Sequence, residues 1–411
     1  MKKCRIVDLF SGVGGLTFGF YYNLINQRFV KRDNVQFVFA NEFAPKAAAA
    51  FRKNYGSDIP MIEGDICAIT DEKIDEMLKD EEVDVIIGGP PCQSFSTVGQ
   101  RKYDDRAKLS HQYLRLLEKI KPKMFLFENV KGILSMREIF YKTDENGKVV
   151  TEKVKKHRGD IKFEKDEPVI DGYGRLVIDI LEEEFARIGY KIYKKTMLAT
   201  DFGVPQIRER VFIIGVREGL NVEWDYPKGD GKSIISIAQA ISDLPRVNEG
   251  QTVEKYDKPP MTDYQKLMRG DCDNLTVHFC GTYGDKIRTV IENVNEGEGK
   301  NDFNAKVSAG LIDSKYYLTS GYGNTYGRLE RNKPSTTITN NLATPSGLRC
   351  IHYEQHRALT PREGARIQSF PDWYHFEGNR SDVVKQVGNA VPPLMAIAFA
   401  NKIINLLVDE D

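Results

Sequence analysis

Residues 83–96 read VDVIIGGPPCQSFS: an apolar run, two glycines, two prolines and a cysteine. A short Val/Ile run bounded by Gly and Pro is the pattern of a strand buried on both faces. The prolines end it, because proline offers no ladder N–H and fixes its own φ. At that exit stands Cys92. A cysteine that only fills a core needs no such setting, whereas a nucleophile that must be held still does.

The pattern repeats on either side. RIVDLF (5–10), VQFVFA (35–40), KMFLFENV (123–130), KIYKKTMLAT (191–200) and RVFIIGVR (210–217) read as strands. Helical patterns fall between them: LTFGFYYNLIN (16–26), APKAAAAFRKNY (44–55), KLSHQYLRLLEKI (108–120) and GRLVIDILEEEFARIGY (174–190). The last places Leu176, Val177, Ile180, Leu181, Phe185 and Ile188 on one stripe. This alternation predicts an α/β fold with a mostly parallel sheet covered on both faces, and ligands at the carboxyl ends of its strands. Residues 140–171 are charged and poor in apolar side chains, which predicts a solvated insertion of hairpin type. From 218 to 341 the chain is rich in Gly, Asn and Tyr with few periodic runs, as in a second, loop-rich domain. QVGNAVPPLMAIAFANKIINLLVDE (386–410) ends in an apolar helix, with proline at its start, expected to return to the first domain.

The 411 residues are 41% hydrophobic, enough for a sizeable core, and the formal net charge is +0. That balance neither supports nor excludes nucleic acid, since a local patch suffices. No apolar run approaches the roughly 20 residues of a membrane span. The six cysteines, Cys4, Cys67, Cys92, Cys272, Cys280 and Cys350, form no Cys-x-x-Cys pair, and no signal segment follows MKKCRIVDLF. A cytoplasmic protein with reduced thiols is expected. Cys272/His278/Cys280 and Cys350/His352/His356 match no zinc spacing, so no metal is expected.

DLFSGVGG (8–15) is a Gly-rich turn between a strand and a helix, where the backbone can approach a ligand closely. Glu42 ends the next strand, suitably for ribose hydroxyls, and Asp65 lies just past a third, suitably for an adenine amine. Either acid could equally be a solvated loop carboxylate or a helix cap, as Asp71 is expected to be. An acid at the end of the second strand suits NAD as well as S-adenosylmethionine. Gly12, Gly14, Gly15 and Gly19 do not meet Gly-x-Gly-x-x-Gly, and no Gly-Lys-Ser/Thr follows, which disfavours NAD and ATP.

A methyl donor would give Cys92 a purpose. C5 of cytosine is a poor nucleophile, but thiolate addition at C6 makes it enamine-like. The charge arriving on N3 calls for a carboxylic acid, and FENV offers Glu128 at a neighbouring strand end. A cation at O2 would absorb more, and QIRERVF offers Arg208 and Arg210, on one side if the segment is extended. Each alone has a blander reading as a core thiol or a surface charge; the ordered set does not.

With these motifs the chain resembles DNA (cytosine-5) methyltransferases, most closely those of bacterial restriction–modification systems. DLFSGVGGL, NEF, GDI, GGPPCQSFS, FENVKG, QIRERVFIIG, RALTPREGARIQSFP and QVGNAVPP stand in the family's order. The resemblance implies a class I S-adenosylmethionine-dependent, Rossmann-like catalytic domain over 1–217. It further implies a target-recognition domain over 218–356, and a segment 357–411 that scaffolds the small domain and then returns as a helix. It implies Cys92 as nucleophile, Glu128 at N3 and the amine, Asn129 supporting the strand-end loop, and Arg210 at O2 assisted by Arg208. Phe10, Gly12, Gly14, Leu16, Glu42, Asp65, Ile66, Pro90, Asn389 and Ala390 would line the donor site. Ser94, Ser96 and Arg106 would contact DNA from the loop after Cys92, where Ala107 replaces a frequent glycine. In the second domain Lys286, Arg288, Arg328 and Arg331, with Tyr283, Tyr316, Tyr322 and Tyr326, are candidate base or phosphate contacts, each weighed against a solvated loop residue. The implied partners are double-stranded DNA and a restriction endonuclease of the same site, and a monomer suffices. The alternatives are a tRNA cytosine-5 methyltransferase, a non-catalytic DNA-binding regulator on the same fold, and a nucleotide-dependent oxidoreductase.

Overall fold

The structure, a computed structural model, describes residues 3–91, 96–98, 102–103, 107–158, 161–229, 231 and 234–408. Cys92, Ser94 and Arg106 lie outside the described residues, and Ser96 is described in its backbone only.

Seven strands form the central sheet: β1 (Cys4–Leu9), β2 (Val35–Glu42), β3 (Met61–Glu63), β4 (Val85–Gly88), β5 (Met124–Val130), β6 (Tyr190–Leu198) and β7 (Glu209–Arg217). Their order is β6-β7-β5-β4-β1-β2-β3. Pairs from β5 to β3 are parallel, while β7 runs antiparallel to both β5 and β6. The reason is visible in the chain: only residues 199–208 separate β6 from β7, too few for the helical crossover that parallel neighbours need. Side chains alternate between faces, so Ile6, Val85, Ile87, Leu126 and Phe212 enter one core and Val7, Ile86, Phe125, Phe127 and Ile213 the other.

The chain leaves β1 towards β2 and β3, then crosses back to place β4 on the other side of β1. This reversal opens a crevice at the carboxyl ends of β1 and β4, the usual ligand position in such sheets. The Gly-rich turn and the Pro-Pro exit therefore face one another.

Two local expectations are corrected. The first helix covers only Gly15–Tyr21; Tyr22–Ile25 and Arg28–Lys31 form a hairpin, closed by Asn26 and Gln27 at positive φ. Such a left-handed pair matches strand twist and gives a two-residue turn. Asp71 is not a helix cap: Thr70 caps the helix Asp71–Leu78 through its hydroxyl, and Asp71 pairs with Arg115 at 2.7 Å. The 140–171 insertion does contain a hairpin, Thr151–Arg158 against Ile161–Pro168. Its flanks, Arg137–Tyr141 and Ile170–Leu176, form a second sheet with Ser96–Val98 and Lys102–Tyr103.

The C-terminal helix Pro393–Val408 lies against Gly15–Tyr21. The approach is so close that a Cβ on Gly19 would stand 2.2 Å from the Ala396 backbone. Gly19→Ala is expected to destabilise the protein by about 1–3 kcal/mol through overpacking, read from the urea midpoint. Among the described residues no single helix is long and apolar enough to cross a membrane.

Within 218–356, Val290, Val294, Phe303, Val307 and Leu318 build a small separate core. Trp224, Ile237, Leu244, Tyr264 and Met268 instead join the large one. TPREGARIQSFP supplies the helix Pro361–Ile367, whose Arg362, Glu363 and Arg366 are buried and bonded.

Candidate active site

The crevice has two walls. The first is the turn after β1, where Phe10, Gly12 and Gly14 all adopt positive φ. For Phe10 this is a strained state, of the kind that gathers at ligand sites. Tyr55 and Tyr374 hold the turn from behind, their hydroxyls donating to the carbonyls of Gly14 and Val13. A Cβ on Gly14 would strike Tyr55 at 2.6 Å, whereas one on Gly12 would meet nothing within 4 Å. The loop is thus packed at Gly14 and open at Gly12. Glu42 sits beside it, accepting from the Gly12 and Ala44 N–H groups at 2.9 and 2.7 Å. Burial raises its pKa, and these two N–H bonds oppose the rise. Asp65 is exposed past β3 and accepts from Cys67 N–H, so it caps a short turn. Leu16 and Ile66 are buried in the cores on opposite faces. The end of the helix Arg380–Asn389 and its cap Ala390 reach this wall too: a Cβ on Gly15 would lie 2.4 Å from the Val391 carbonyl.

Two residues on this wall escaped the reading of the sequence. Phe43, directly after Glu42, is 71% exposed, a flat apolar ring beside a carboxylate. Its signal was the aromatic in NEF. Asp8 is fully buried, bonded to Thr17, and its Oδ1 has no partner among the described residues. Burial pushes its pKa up to about 8.

The second wall is the exit of β4. Parallel register aligns Gly88 with Phe127, which brings Gly89 level with Glu128. A Cβ on Gly89 would lie 2.9 Å from Glu128 Oε2. Glycine therefore lets the carboxyl reach the Pro-Pro exit. Glu128 pairs with Arg210 Nε at 3.0 Å, both side chains 11% exposed. Burial raises the Glu128 pKa; Arg210, then Arg208, pull it down without cancelling the rise. Asn129 donates from Nδ2 to the Pro90 carbonyl at 3.0 Å, tying β5 to the residues that lead into Cys92.

Arg208 lies near this pair but does not hydrogen-bond to it. It is 1% exposed, and its guanidinium donates to the carbonyls of Ile338, Gly388 and Ala390. Arg208 precedes β7, its terminal nitrogens are held by protein carbonyls, and it acts on the Glu128–Arg210 pair through its charge rather than by a hydrogen bond.

Most basic and tyrosine candidates of the second region are occupied internally. Arg328 donates to the carbonyls of Ile291, Val294, His352 and Gln355, while Arg288 pairs with Glu249 and Arg331 with Glu296. Lys286 donates to the Tyr317 carbonyl and Tyr316 to Asp285; Tyr283 accepts from Ala358 N–H. Tyr326 packs beside the small core, and Tyr322 is 80% exposed.

Known proteins resemble this chain over nearly its whole length. The chain is 30% identical to the Type II methyltransferase M.AgeI of Thalassovita gelatinovora, over 97% of this chain and 99% of that protein. It is 31% identical to the Type II methyltransferase M.DdeI of Desulfomicrobium norvegicum, over 99% and 91%. A solved prophage-encoded protein from E. coli has the same fold, with a TM-score of 0.68 at 23% identity over 99% of this chain and 100% of that one. So does the S. pombe Dnmt2 methyltransferase, with 0.54 at 14% over 99% of each. This is the class I, Rossmann-like methyltransferase fold. The sequence pattern of C-5 cytosine-specific DNA methylases matches residues 4–155 and 171–405, leaving out only part of the insertion and the chain ends. With that match running through both walls of the crevice, the chain belongs to the C-5 cytosine-specific DNA methylase family and is a DNA (cytosine-5) methyltransferase.

Proposed function

We propose that the enzyme moves the methyl group of S-adenosyl-L-methionine to C5 of a cytosine flipped out of a specific double-stranded DNA sequence, through a covalent bond between Cys92 and C6. The observation that carries this reading is the Glu128–Arg210 pair at the Pro-Pro exit. As the thiolate adds to C6, negative charge develops on N3 and O2. A buried carboxyl with a raised pKa keeps its proton to higher pH than an exposed one, and can give it to N3. Arg210 offers the cation for O2. Asn129, holding Pro90, fixes the chain into which Cys92 is built. When bound, the donor would supply an electrophilic methyl group to C5; loss of the C5 proton and departure of the Cys92 thiolate from C6 then complete the exchange. The open backbone at Gly12, the neighbouring Glu42 and the exposed ring of Phe43 suit a nucleoside with a ribose diol. Phe10, Gly14, Leu16, Asp65, Ile66, Pro90, Asn389 and Ala390 complete that site.

A stacked base cannot present C6 to a thiol, so the target must leave the helix. Ser94, Ser96 and Arg106 are proposed to close over the DNA, and residues 218–356 to read its sequence. The Type II names of its relatives support a cognate restriction endonuclease as partner. A cytoplasmic monomer is sufficient for the work.

The test is transfer of labelled methyl from S-adenosylmethionine to unmethylated plasmid DNA and, in parallel, to bulk tRNA. Label recovered from DNA as 5-methylcytosine supports the reading and maps the site; label in tRNA alone overturns the substrate. Glu128→Gln is expected to lower kcat by about 10²–10⁴-fold. The wild type should also lose activity as pH rises through the Glu128 pKa, a limb the Gln variant lacks. Full activity in the variant would remove Glu128 from its acid role.

A further inference from the structure

Gln206, Arg208 and Gln368 are 0%, 1% and 0% exposed and meet where four segments converge. Gln206 Nε2 donates to Gln368 Oε1 at 2.5 Å, and its Oε1 accepts from Ile338 N–H at 2.8 Å. Gln368 Nε2 donates to the carbonyls of Val387 and Ala390 at 2.9 and 3.0 Å. Arg208 adds bonds to Ile338, Gly388 and Ala390 at 2.9, 3.0 and 2.9 Å. Gly388 is itself pressed on the same stretch, a Cβ there standing 2.4 Å from Asn340 N. Segment 335–339, residues 388–390 at the end of the helix Arg380–Asn389, the end of helix Pro361–Ile367 and the start of β7 are thereby held by one polar cluster.

Each of these side chains bonds to segments remote in sequence. Arg208 Nε has no hydrogen-bond partner among the described residues, and no carboxylate pairs with it there. A buried cation held by carbonyls is a costly way to fill a core, where apolar side chains would do. What the arrangement does provide is geometric coupling. Ala390 O receives two of the bonds, so a shift of that helix end pulls on Arg208 and Gln368 together. Arg208 stands two residues before Arg210.

We propose that Gln206, Arg208 and Gln368 are positioning residues that link donor occupancy at the helix end 388–390 to segment 335–339 and to Arg210, so that donor and target DNA tighten each other's binding. The inference rests on the donor reading above. Such linkage is reciprocal.

The test measures the Kd of S-adenosylhomocysteine by calorimetry, with and without a duplex carrying the mapped target. Wild type, Arg208→Lys and Gln368→Met are compared, with Tm recorded for each. Lysine keeps the charge, but one ammonium cannot reproduce the planar fork that reaches three carbonyls. The wild type should bind the compound about tenfold more tightly with DNA present. In both variants that ratio should fall towards one, even where Tm is unchanged, which a merely structural role would not produce. Hydrogen exchange on the wild type covers variants that fail to fold: the compound alone should slow the amides of 335–339. A wild type without coupling, variants that retain it, or unaltered exchange overturns the inference. No binding by the wild type overturns the donor reading and this inference with it.

Discussion

Cys92→Ala is expected to abolish methyl transfer, by on the order of 10⁴-fold or more, as loss of a covalent nucleophile does elsewhere. DNA and donor binding should survive, because the described contacts of this wall run through Glu128, Asn129 and Arg210 rather than through a thiol. The described part of the strand exit is rigid on independent grounds. A Cβ on Gly88 would strike the Leu9 carbonyl at 2.5 Å, Gly89 lies under Glu128, and Asn129 anchors Pro90. The backbone is therefore fixed as far as Pro90, two residues before the nucleophile, and β5 and β7 supply an acid and a cation at this exit. Without the thiol those groups would still bind a cytosine, but C5 would remain unreactive. Duplexes carrying 5-fluorocytosine give the sharper readout. Fluorine cannot leave C5 as the proton does, so the wild type should accumulate a protein–DNA complex that survives denaturant. Cys92→Ala should form none. Product formation at the wild-type rate by the variant would overturn the covalent route.

What was legible in the sequence, and what was not, divides along a physical line. Strands β1, β2, β4, β5 and β7 announce themselves as Val/Ile/Phe runs, because strands buried on both faces have no polar face to hide them. Glu128 could be placed on the same edge as the Pro-Pro exit because parallel strands end on one edge; its exact level came from the register. Spacing fails where a long polar side chain chooses between partners. Arg208 and Arg210 stand two apart, yet one faces a carboxylate and the other carbonyls from loops far along the chain. Arg328 looks in sequence like a phosphate contact and is instead the hub that closes 291–355. Gln206 and Gln368 lie in the motifs QIRERVFIIG and RALTPREGARIQSFP, yet the sequence assigned them no role, since an amide takes meaning only from its partners. The same limit applies to Thr70 and Asp71, either of which fits the start of a helix until the hydroxyl is seen to accept from Lys73.

Arg366→Met carries the largest expected loss of stability, about 3–5 kcal/mol. Arg366 is fully buried between two carboxylates: it donates to Asp372 at 2.6 and 2.9 Å and is bonded to Asp243 and the Ala240 carbonyl. It thus joins the helix Pro361–Ile367 to Ile237–Ile241, and so the scaffold of the C-terminal segment to residues after β7. Methionine fills much of the volume but leaves Asp243 and Asp372 in the core without their shared cation. Arg362, 3.9 Å from Asp372, only partly replaces it. The pH dependence should reverse sign. In the wild type, burial would raise the Asp372 pKa, but Arg366 and then Arg362 hold it below the ordinary value. That depressed pKa contributes stability above the unfolded pKa, and the contribution is lost as pH falls through the folded one. In the variant burial dominates, the folded pKa rises, and the carboxyl destabilises the fold increasingly as pH climbs above its unfolded value. The gap between the two urea midpoints should therefore be wider at pH 7 than at pH 5. A gap that stays constant across that range would mean that cavity and packing, not the unpaired carboxylate, set the loss. Gln368 follows the same helix by one residue, so the folded fraction of the variant should also lose donor–DNA coupling before it loses the reaction itself.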